Sequence, residues 1–113
     1  MDCIFCNIIS GDIPSVKVYE NEYVYAFNDI SPVAPVHVLI IPKQHIASIN
    51  DLTPENADLV SKVYLAAAEI AKQLGVSESG YRIVSNCGEA AGQTVHHLHF
   101  HLLGGRDLSW PPG

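Results

Sequence analysis

Five short segments of the chain are rich in apolar, β-branched and aromatic residues, and each ends near proline, glycine or asparagine, which predicts five β-strands. They are residues 16–20, 23–27, 36–41, 81–86 and 95–103. Asn21-Glu22 is turn-like, so we expect the first two strands to form a hairpin. Because residues 36–41 are almost continuously apolar and stop at Pro42, we expect this strand in the centre of the sheet.

Two other segments carry apolar residues at helical spacing. Residues 3–10 stop at Gly11, which predicts a short helix. A longer helix is predicted from Thr53, an N-cap followed by Pro54 at the first helical position, to Gly75 at its end. Its apolar positions are Leu59, Val63, Ala66, Ala67, Ile70 and Leu74. Strands interrupted by one long helix predict an α+β fold, with a five-stranded antiparallel sheet and two helices, rather than a doubly wound parallel sheet.

Length and composition limit the class of protein. A chain of 113 residues with 48% apolar residues fits a single domain, residues 1–113, that closes a core without disulfides. Its 12 acidic and 6 basic residues argue against nucleic acid as a partner. No apolar run approaches the roughly 20 residues of a membrane span, and Met1-Asp2-Cys3 lacks the basic start of a secretory signal. We therefore expect a cytoplasmic protein that does not bind membranes.

Four of the six histidines fall within residues 95–103, and three of them alternate with apolar residues. On a strand, His97, His99 and His101 would project from one face, with His96 on the other. Imidazole can serve as nucleophile, general acid or base, or metal ligand near neutral pH. Gly92-Gln93-Thr94 just before them permits close backbone approach and supplies donors, a combination suited to a phosphoryl group beside a nucleophilic imidazole.

The chain resembles the histidine triad (HIT) superfamily over nearly its whole length. The resemblance is carried by residues 97–103 with Gly92-Gln93-Thr94 ahead of them, and by Phe27-Asn28-Asp29-Ile30-Ser31-Pro32, Pro35-Val36-His37, Ile41-Pro42-Lys43 and Tyr81-Arg82-Ile83-Val84-Ser85-Asn86. Gly104-Gly105-Arg106 and Trp110-Pro111-Pro112-Gly113 look most like the HINT branch. That branch hydrolyses purine nucleoside 5′-phosphoramidates to the nucleoside monophosphate and an amine, and the resemblance implies the same activity with no metal in the catalytic step.

The resemblance also implies catalytic roles. His99 would attack the α-phosphorus and form a nucleotidyl-histidine that water resolves. His101 and the 93–94 turn would hold the non-bridging oxygens, while Thr94 or a histidine assists the departing amine. We expect a backbone carbonyl near the strand to receive the other ring N–H of His99. The implied catalytic set is His99, His101, Thr94 and His97.

A purine nucleotide such as AMP, or its phosphoramidates, is the implied ligand. Asp29 would accept hydrogen bonds from ribose hydroxyls, Phe27 and Ile30 would flank the purine, and Asn86 would reach the phosphate or ribose. Taken from the residues alone, Asp29 is equally typical of a turn, Phe27 and Ile30 of core packing, and His37 of a hydrogen-bonded core histidine. The full implied binding set is Phe27, Asp29, Ile30, Asn86, Gly92, Gln93, Thr94, His99 and His101.

Cys3 and Cys6 have C-x-x-C spacing, which in a reducing compartment favours metal or redox chemistry over a disulfide. On a helix the two thiolates would share a face, and His45 and His97 would complete a tetrahedral zinc site like that of some bacterial HIT proteins. Such a closed site would be structural and would keep His97 from acting as a free acid or base. The alternative is that both cysteines are small buried residues of the helix. Cys87 has no partner at metal spacing and is expected to be structural.

Other interpretations stay open at the level of sequence. The resemblance implies a homodimer, with the sheet extended across it and residues 110–113 approaching the other subunit's site. His96 departs from the HINT pattern, which is commonly aromatic at this position, and is interpreted as a packing or interface residue. The alternative functions are a dinucleoside polyphosphate hydrolase, a nucleotide-binding or zinc-dependent interaction module with incidental turnover, and a metalloenzyme that uses His97, His99 and His101 as ligands.

Overall fold

The computed structural model describes residues 3–113, so Met1 and Asp2, which enter the expectation about a signal segment, lie outside it. In chain order the elements are α1 (Ile4–Ser10), β1 (Lys17–Glu20), β2 (Val24–Asn28), β3 (Val36–Pro42), α2 (Asp58–Gln73), β4 (Tyr81–Val84) and β5 (Phe100–Gly104). The strands form one antiparallel sheet in the order β1-β2-β3-β5-β4. The predicted fold class, α+β with five antiparallel strands and two helices, is confirmed.

Strand β3 is central, as its continuous apolarity predicts, because both of its faces are covered. Val38 and Ile40 are fully buried in the core that α2 covers, whereas Leu39 and Ile41 belong to a second core under α1. The predicted β1–β2 hairpin is also present: the side-chain oxygen of Asn21 accepts hydrogen bonds from the next backbone N–H groups and closes the turn.

The long helix begins later than predicted. Thr53 is not its N-cap, because the chain runs through turns from Pro54 to Ala57 and the helix begins only at Asp58. The Thr53 N–H donates to the Asn56 side chain at 2.7 Å and so closes the first of these turns. The predicted end is confirmed: Gly75 takes φ = 75° and donates to the Lys72 carbonyl. Val76 then donates to the Ala71 carbonyl, which completes the paired C-terminal hydrogen bonds that glycine at this position allows.

The predicted strand over residues 95–103 is wrong in its first half, because β5 begins only at Phe100. The ladder between β3 and β5 ends at the pair Ile40 and Phe100. Beyond that point the Pro42 carbonyl accepts a hydrogen bond from the His97 ring instead of a backbone N–H. The alternation of side chains nevertheless continues, since Leu98 lies in the α2 core while His97 and His99 contact Phe5 of α1.

None of the helices within residues 3–113 combines the length and apolarity needed to cross a bilayer.

Candidate active site

His99 lies in the extended segment before β5 with only 7% of its surface exposed. Its Nδ1 is 2.7 Å from the backbone oxygen of His97. A carbonyl only accepts, so Nδ1 carries the proton and the lone pair of the neutral ring resides on Nε2. The expected backbone acceptor is therefore the His97 carbonyl, and the ring is fixed in the tautomer that a nucleophile requires.

The neighbourhood of His99 is held from two sides. The ring packs edge to face against Phe5, with centroids 5.1 Å apart. On the backbone, the Ser85 hydroxyl donates to the His99 carbonyl at 2.9 Å. Sequence analysis missed Ser85 as a supporting residue, because its place next to His99 depends on the pairing of β4 with β5.

His101 is oriented by a second buried histidine, His37 on β3. The Val33 N–H donates to His37 Nδ1 at 3.1 Å, so the proton of a neutral His37 ring resides on Nε2. That Nε2 lies 2.9 Å from His101 Nδ1 and 3.4 Å from an Asp29 carboxylate oxygen. His101 Nδ1 therefore accepts, and its own proton resides on Nε2. Two tautomers follow from one backbone N–H.

His101 stays uncharged at neutral pH. Burial, and then the nearby His99 and His37, lower its pKa to about 4. The rings of His99 and His101 lie with centroids 5.3 Å apart. The site thus presents a lone pair on one imidazole beside an N–H donor on the next, without a net positive charge on His101.

His37 is the principal residue that sequence reasoning left out of the site. The interpretation as a hydrogen-bonded core histidine is correct for its burial, yet its partner is His101. Asp29, His37 and His101 bring potential ligand atoms within 4.8 Å of one another, but the Val33 N–H on Nδ1 keeps a proton rather than a metal on His37 Nε2. This cluster is a chain of hydrogen bonds.

The loop before the histidines is built by Gln93. Its side-chain nitrogen donates to the carbonyls of Ala47 (2.8 Å) and Val95 (3.0 Å), and its side-chain oxygen accepts from the Gly88 N–H. Both amide hydrogens are thus used inside the protein. Within residues 3–113 the exposed Thr94 hydroxyl makes no hydrogen bond, so Thr94 and the loop backbone are the groups left to meet a ligand.

Gly92 ends a 3₁₀ turn, Glu89–Ala91, with φ = 88°. Only glycine adopts this left-handed conformation without strain, which explains its place before Gln93.

A cavity of about 340 Å³ lies between α1 and the end of β2. It brings together three residues of the expected nucleoside site, Phe27, Asp29 and Ile30, while Asn86 lies outside its lining. Ile30 is 97% exposed, and Asp29 also makes the turn expected of it by accepting the Ser31 N–H at 2.7 Å. The complete lining is Ile8, Pro14, Ser15, Val16, Phe27, Asn28, Asp29 and Ile30. The residues from α1 and its following loop carried no sequence signal, because only tertiary packing places them here.

Cys3, Cys6, His45 and His97 meet at the start of α1. His97 Nδ1 lies 3.3 and 3.6 Å from the Sγ atoms of Cys3 and Cys6, and 3.2 Å from His45 Nδ1. Cys6 Sγ lies 3.4 Å from the same His45 atom. A tetrahedral zinc ion would set nitrogen ligands about 3.3 Å apart and nitrogen and sulfur about 3.6 Å apart. The four side chains therefore fit such an ion.

The protonation states at this cluster also suit a metal. His97 donates from Nε2 to the Pro42 carbonyl at 2.8 Å, which leaves Nδ1 without a proton, and burial lowers the pKa of this ring. Burial, followed by the adjacent Cys3, raises the pKa of the Cys6 thiol. A cation would be needed to hold the Cys6 sulfur as a thiolate. Among the described residues His99 belongs to neither ligand cluster, so His97, His99 and His101 do not form one metal site.

The chain is similar to known proteins over almost its whole length. A family model described as HIT domain matches residues 10–108. The chain is 53% identical over 112 residues to an uncharacterised HIT-like protein of Synechococcus elongatus, covering 99% of this chain and 97% of that one. It is 47% identical over 107 residues to the purine nucleoside phosphoramidase of Escherichia coli, covering 95% and 90% of the two chains.

The fold has a similarly close counterpart. A crystal structure of a HIT family hydrolase from Legionella pneumophila superposes with a TM-score of 0.97 at 48% identity, covering 99% of this chain and 100% of that one. The likeness thus extends over the elements that carry every histidine of the site. Cys3 and Cys6 fall outside the range that the family model matches.

Proposed function

The chain belongs to the HIT family, and from this membership and the site geometry we propose that it hydrolyses purine nucleoside 5′-phosphoramidates, of the adenosine 5′-monophosphoramidate type. The products are a nucleoside monophosphate and an amine. The observation that carries the proposal is the hydrogen bond from His99 Nδ1 to the His97 carbonyl, which leaves Nε2 as a nucleophile. The 47% identity to a relative named purine nucleoside phosphoramidase supports the choice of a P–N bond.

In the first step, His99 Nε2 attacks the α-phosphorus and the P–N bond to the leaving group breaks. The electron pair of that bond goes to the amine, which takes a proton from Thr94 or from a histidine. The Nε2–H of His101 and the backbone of the 93–94 turn donate to the non-bridging oxygens as negative charge accumulates there. The His97 carbonyl stabilises the positive charge that develops on the His99 ring.

In the second step, water attacks the phosphorus of the nucleotidyl-histidine, gives a proton back to the group that protonated the amine, and the bond from phosphorus to Nε2 breaks. The bonding electrons return to the His99 ring, and the nucleoside monophosphate leaves. His101 stays neutral at pH 7, so its Nε2–H remains a donor without an added charge. The same two imidazoles therefore serve both steps.

The cavity beside α1 is proposed as the nucleoside site. Phe27 and Ile30 flank the purine, and the Asp29 carboxylate accepts from ribose hydroxyls. Asn86 and Gly92 complete the site at the phosphate or ribose. The Gln93 side chain contributes by fixing the loop, because its amide hydrogens are already paired.

We propose that Cys3, Cys6, His45 and His97 hold a structural zinc ion. When bound, the ion ties α1 to the segment before β5, and four protein ligands leave no open position for substrate. With zinc present His97 acts through its backbone carbonyl, not as an acid or base. Cys3, Cys6 and Cys87 form no disulfide, which supports a reducing, cytoplasmic location.

A homodimer is proposed on the family resemblance. Strand β4 is at one edge of the sheet, where a second copy can extend it, and Trp110 is 82% exposed in the single chain. The C-terminal residues 110–113 would then approach the active site of the other subunit.

Comparison of substrates tests the proposed function. The two substrates share the nucleotidyl group and differ in the leaving group, so their comparison reports the preference for the leaving group. The specificity constant for adenosine 5′-phosphoramidate should exceed that for a dinucleoside polyphosphate by at least about 100-fold. The activity should persist in excess chelator as long as the protein stays folded. In tests of histidine variants, His96→Asn is the control because His96 is exposed. Preferred cleavage of the dinucleotide, or nucleotide binding without turnover, would each overturn the proposal.

A further inference from the structure

We propose that Arg106 is a positioning residue: through the loop between β2 and β3 it fixes the tautomer of His37 and, through it, that of His101. The inference rests on the proposed function, in which the Nε2–H of His101 contacts the phosphoryl group. Arg106 itself is exposed and touches neither histidine. Its effect passes through Val33.

Arg106 and His37 hold opposite ends of one residue. The Arg106 Nε–H donates to the Val33 carbonyl at 3.1 Å, while the Val33 N–H donates to His37 Nδ1 at 3.1 Å. A second Arg106 donor, Nη1, bonds to the Asp107 carbonyl at 3.0 Å and limits the rotation of the guanidinium. The position of Val33 relative to His37 therefore depends on a side chain that follows β5.

Side-chain packing does not fix the position of Val33, because 59% of the residue is exposed. The loop is otherwise anchored at its two ends and by Ala34, whose side chain is buried. Asp29 N–H donates to the His37 carbonyl at 3.0 Å, and Gly105 packs so closely on Pro35 that an added Cβ would lie 2.9 Å from the proline ring. Between these anchors the Arg106 bond is the contact that holds the Val33 carbonyl.

The consequence is a choice between tautomers. The two neutral forms of imidazole are close in energy, so the neighbouring donor or acceptor decides which is present. With the Val33 N–H on Nδ1, His37 donates from Nε2 to His101, and His101 keeps its proton on the nitrogen assigned to substrate. If Val33 moves away, the Asp29 carboxylate, 3.4 Å from Nε2, is the remaining group that favours a proton there, so both rings can reverse in part and His101 then turns a lone pair towards a phosphoryl oxygen.

An alternative role for Arg106 is direct attraction of the phosphate. Among residues 3–113 its guanidinium makes no ion pair and bonds only to carbonyls. A substrate contact would raise KM, whereas loss of positioning lowers kcat. The two roles thus separate in steady-state kinetics.

The test uses Arg106→Ala, Arg106→Lys and the control Lys72→Ala. Lys72 is also an exposed cation, but it lies in the last turn of α2 and bonds neither to the loop of Val33 nor to residues 110–113. Nitrogen-15 NMR of the histidine side chains reports each tautomer. The spectra are recorded on zinc-loaded protein without substrate. The wild type should show His37 and His101 protonated at Nε2.

We expect Arg106→Ala to give mixed His37 tautomers and to lower kcat in proportion to the fraction that keeps the Nε2 proton, from about twofold at one half to about tenfold at one tenth. KM should change less than about twofold, and Arg106→Lys, which keeps one donor, should recover part of both effects. In a His37→Gln background the loss caused by Arg106→Ala should disappear.

Unchanged His37 tautomers in Arg106→Ala, or a raised KM with unchanged kcat, would overturn the inference. If Arg106→Ala unfolds, the same criteria apply to Arg106→Lys. If the wild type has no phosphoramidase activity but Arg106→Ala still shifts the histidine tautomers, the proposed function is refuted. The link from Arg106 to His37 is then still supported.

Discussion

The position of one proton on each imidazole determines what the site can do. His99 and His97 each donate to a backbone carbonyl, whereas His37 accepts from one backbone N–H and donates its own Nε2–H to His101. The sequence identifies the histidines by their alternation, and family resemblance ranks them. It does not reveal these partners, because backbone groups look the same in every sequence and the link from His37 to His101 joins separate strands.

The stability of the protein should depend on the protonation of His101. Its pKa falls from an ordinary 6.5 to about 4 in the folded state, so between these values the unfolded chain binds a proton that the folded chain refuses. The free energy of unfolding should therefore decrease as pH falls from about 6.5 to 4.

Urea unfolding of wild type and His101→Asn across that range, at a fixed metal concentration, checks this expectation. The variant should lose part of the decrease, while His96→Asn, altered at an exposed ring, should keep it. A wild-type pH dependence in His101→Asn would contradict the assignment.

At the level of elements, α1 connects the cluster of Cys3, Cys6, His45 and His97 to His99. Cys3 and Cys6 flank Phe5, whose ring contacts both His99 and Phe27. The sequence predicts this helix and its end at Gly11, but not where it packs, since those contacts are long-range. For the same reason the late start of β5 was missed: side-chain alternation continues past the last ladder pair, where the His97 ring takes the Pro42 carbonyl.

Zinc loading should order α1 without altering the sheet. Cys6→Ser removes one of four ligands, so we expect weaker zinc binding and faster hydrogen exchange at the amides of Asn7, which bonds to the Cys3 carbonyl, and Ile8, with β3 unchanged. Cys87→Ser is the matched control, because Cys87 is outside the cluster and should keep wild-type affinity. Wild-type zinc affinity in Cys6→Ser would rule out the proposed ligand set.

Considered as a whole, the molecule is an acidic chain whose sheet has an open edge at β4. The fold class followed from composition and from the order of strand and helix patterns, whereas the oligomeric state rests on resemblance alone.

Sedimentation should give twice the 12.3 kDa mass of one chain at micromolar concentration. A single species of one-chain mass would reject the homodimer and leave residues 110–113 without their proposed role.

The central claim is that His99 forms a covalent bond to the nucleotide. Wild-type protein mixed with a purine nucleoside phosphoramidate and quenched in base should gain the mass of one nucleotidyl group, located by peptide mapping on His99. The exposed-site control His96→Asn should trap the same adduct, and His99→Asn should trap none and lose at least about 10³-fold in kcat. An adduct on another residue, or equal turnover by His99→Asn and wild type, would contradict the account.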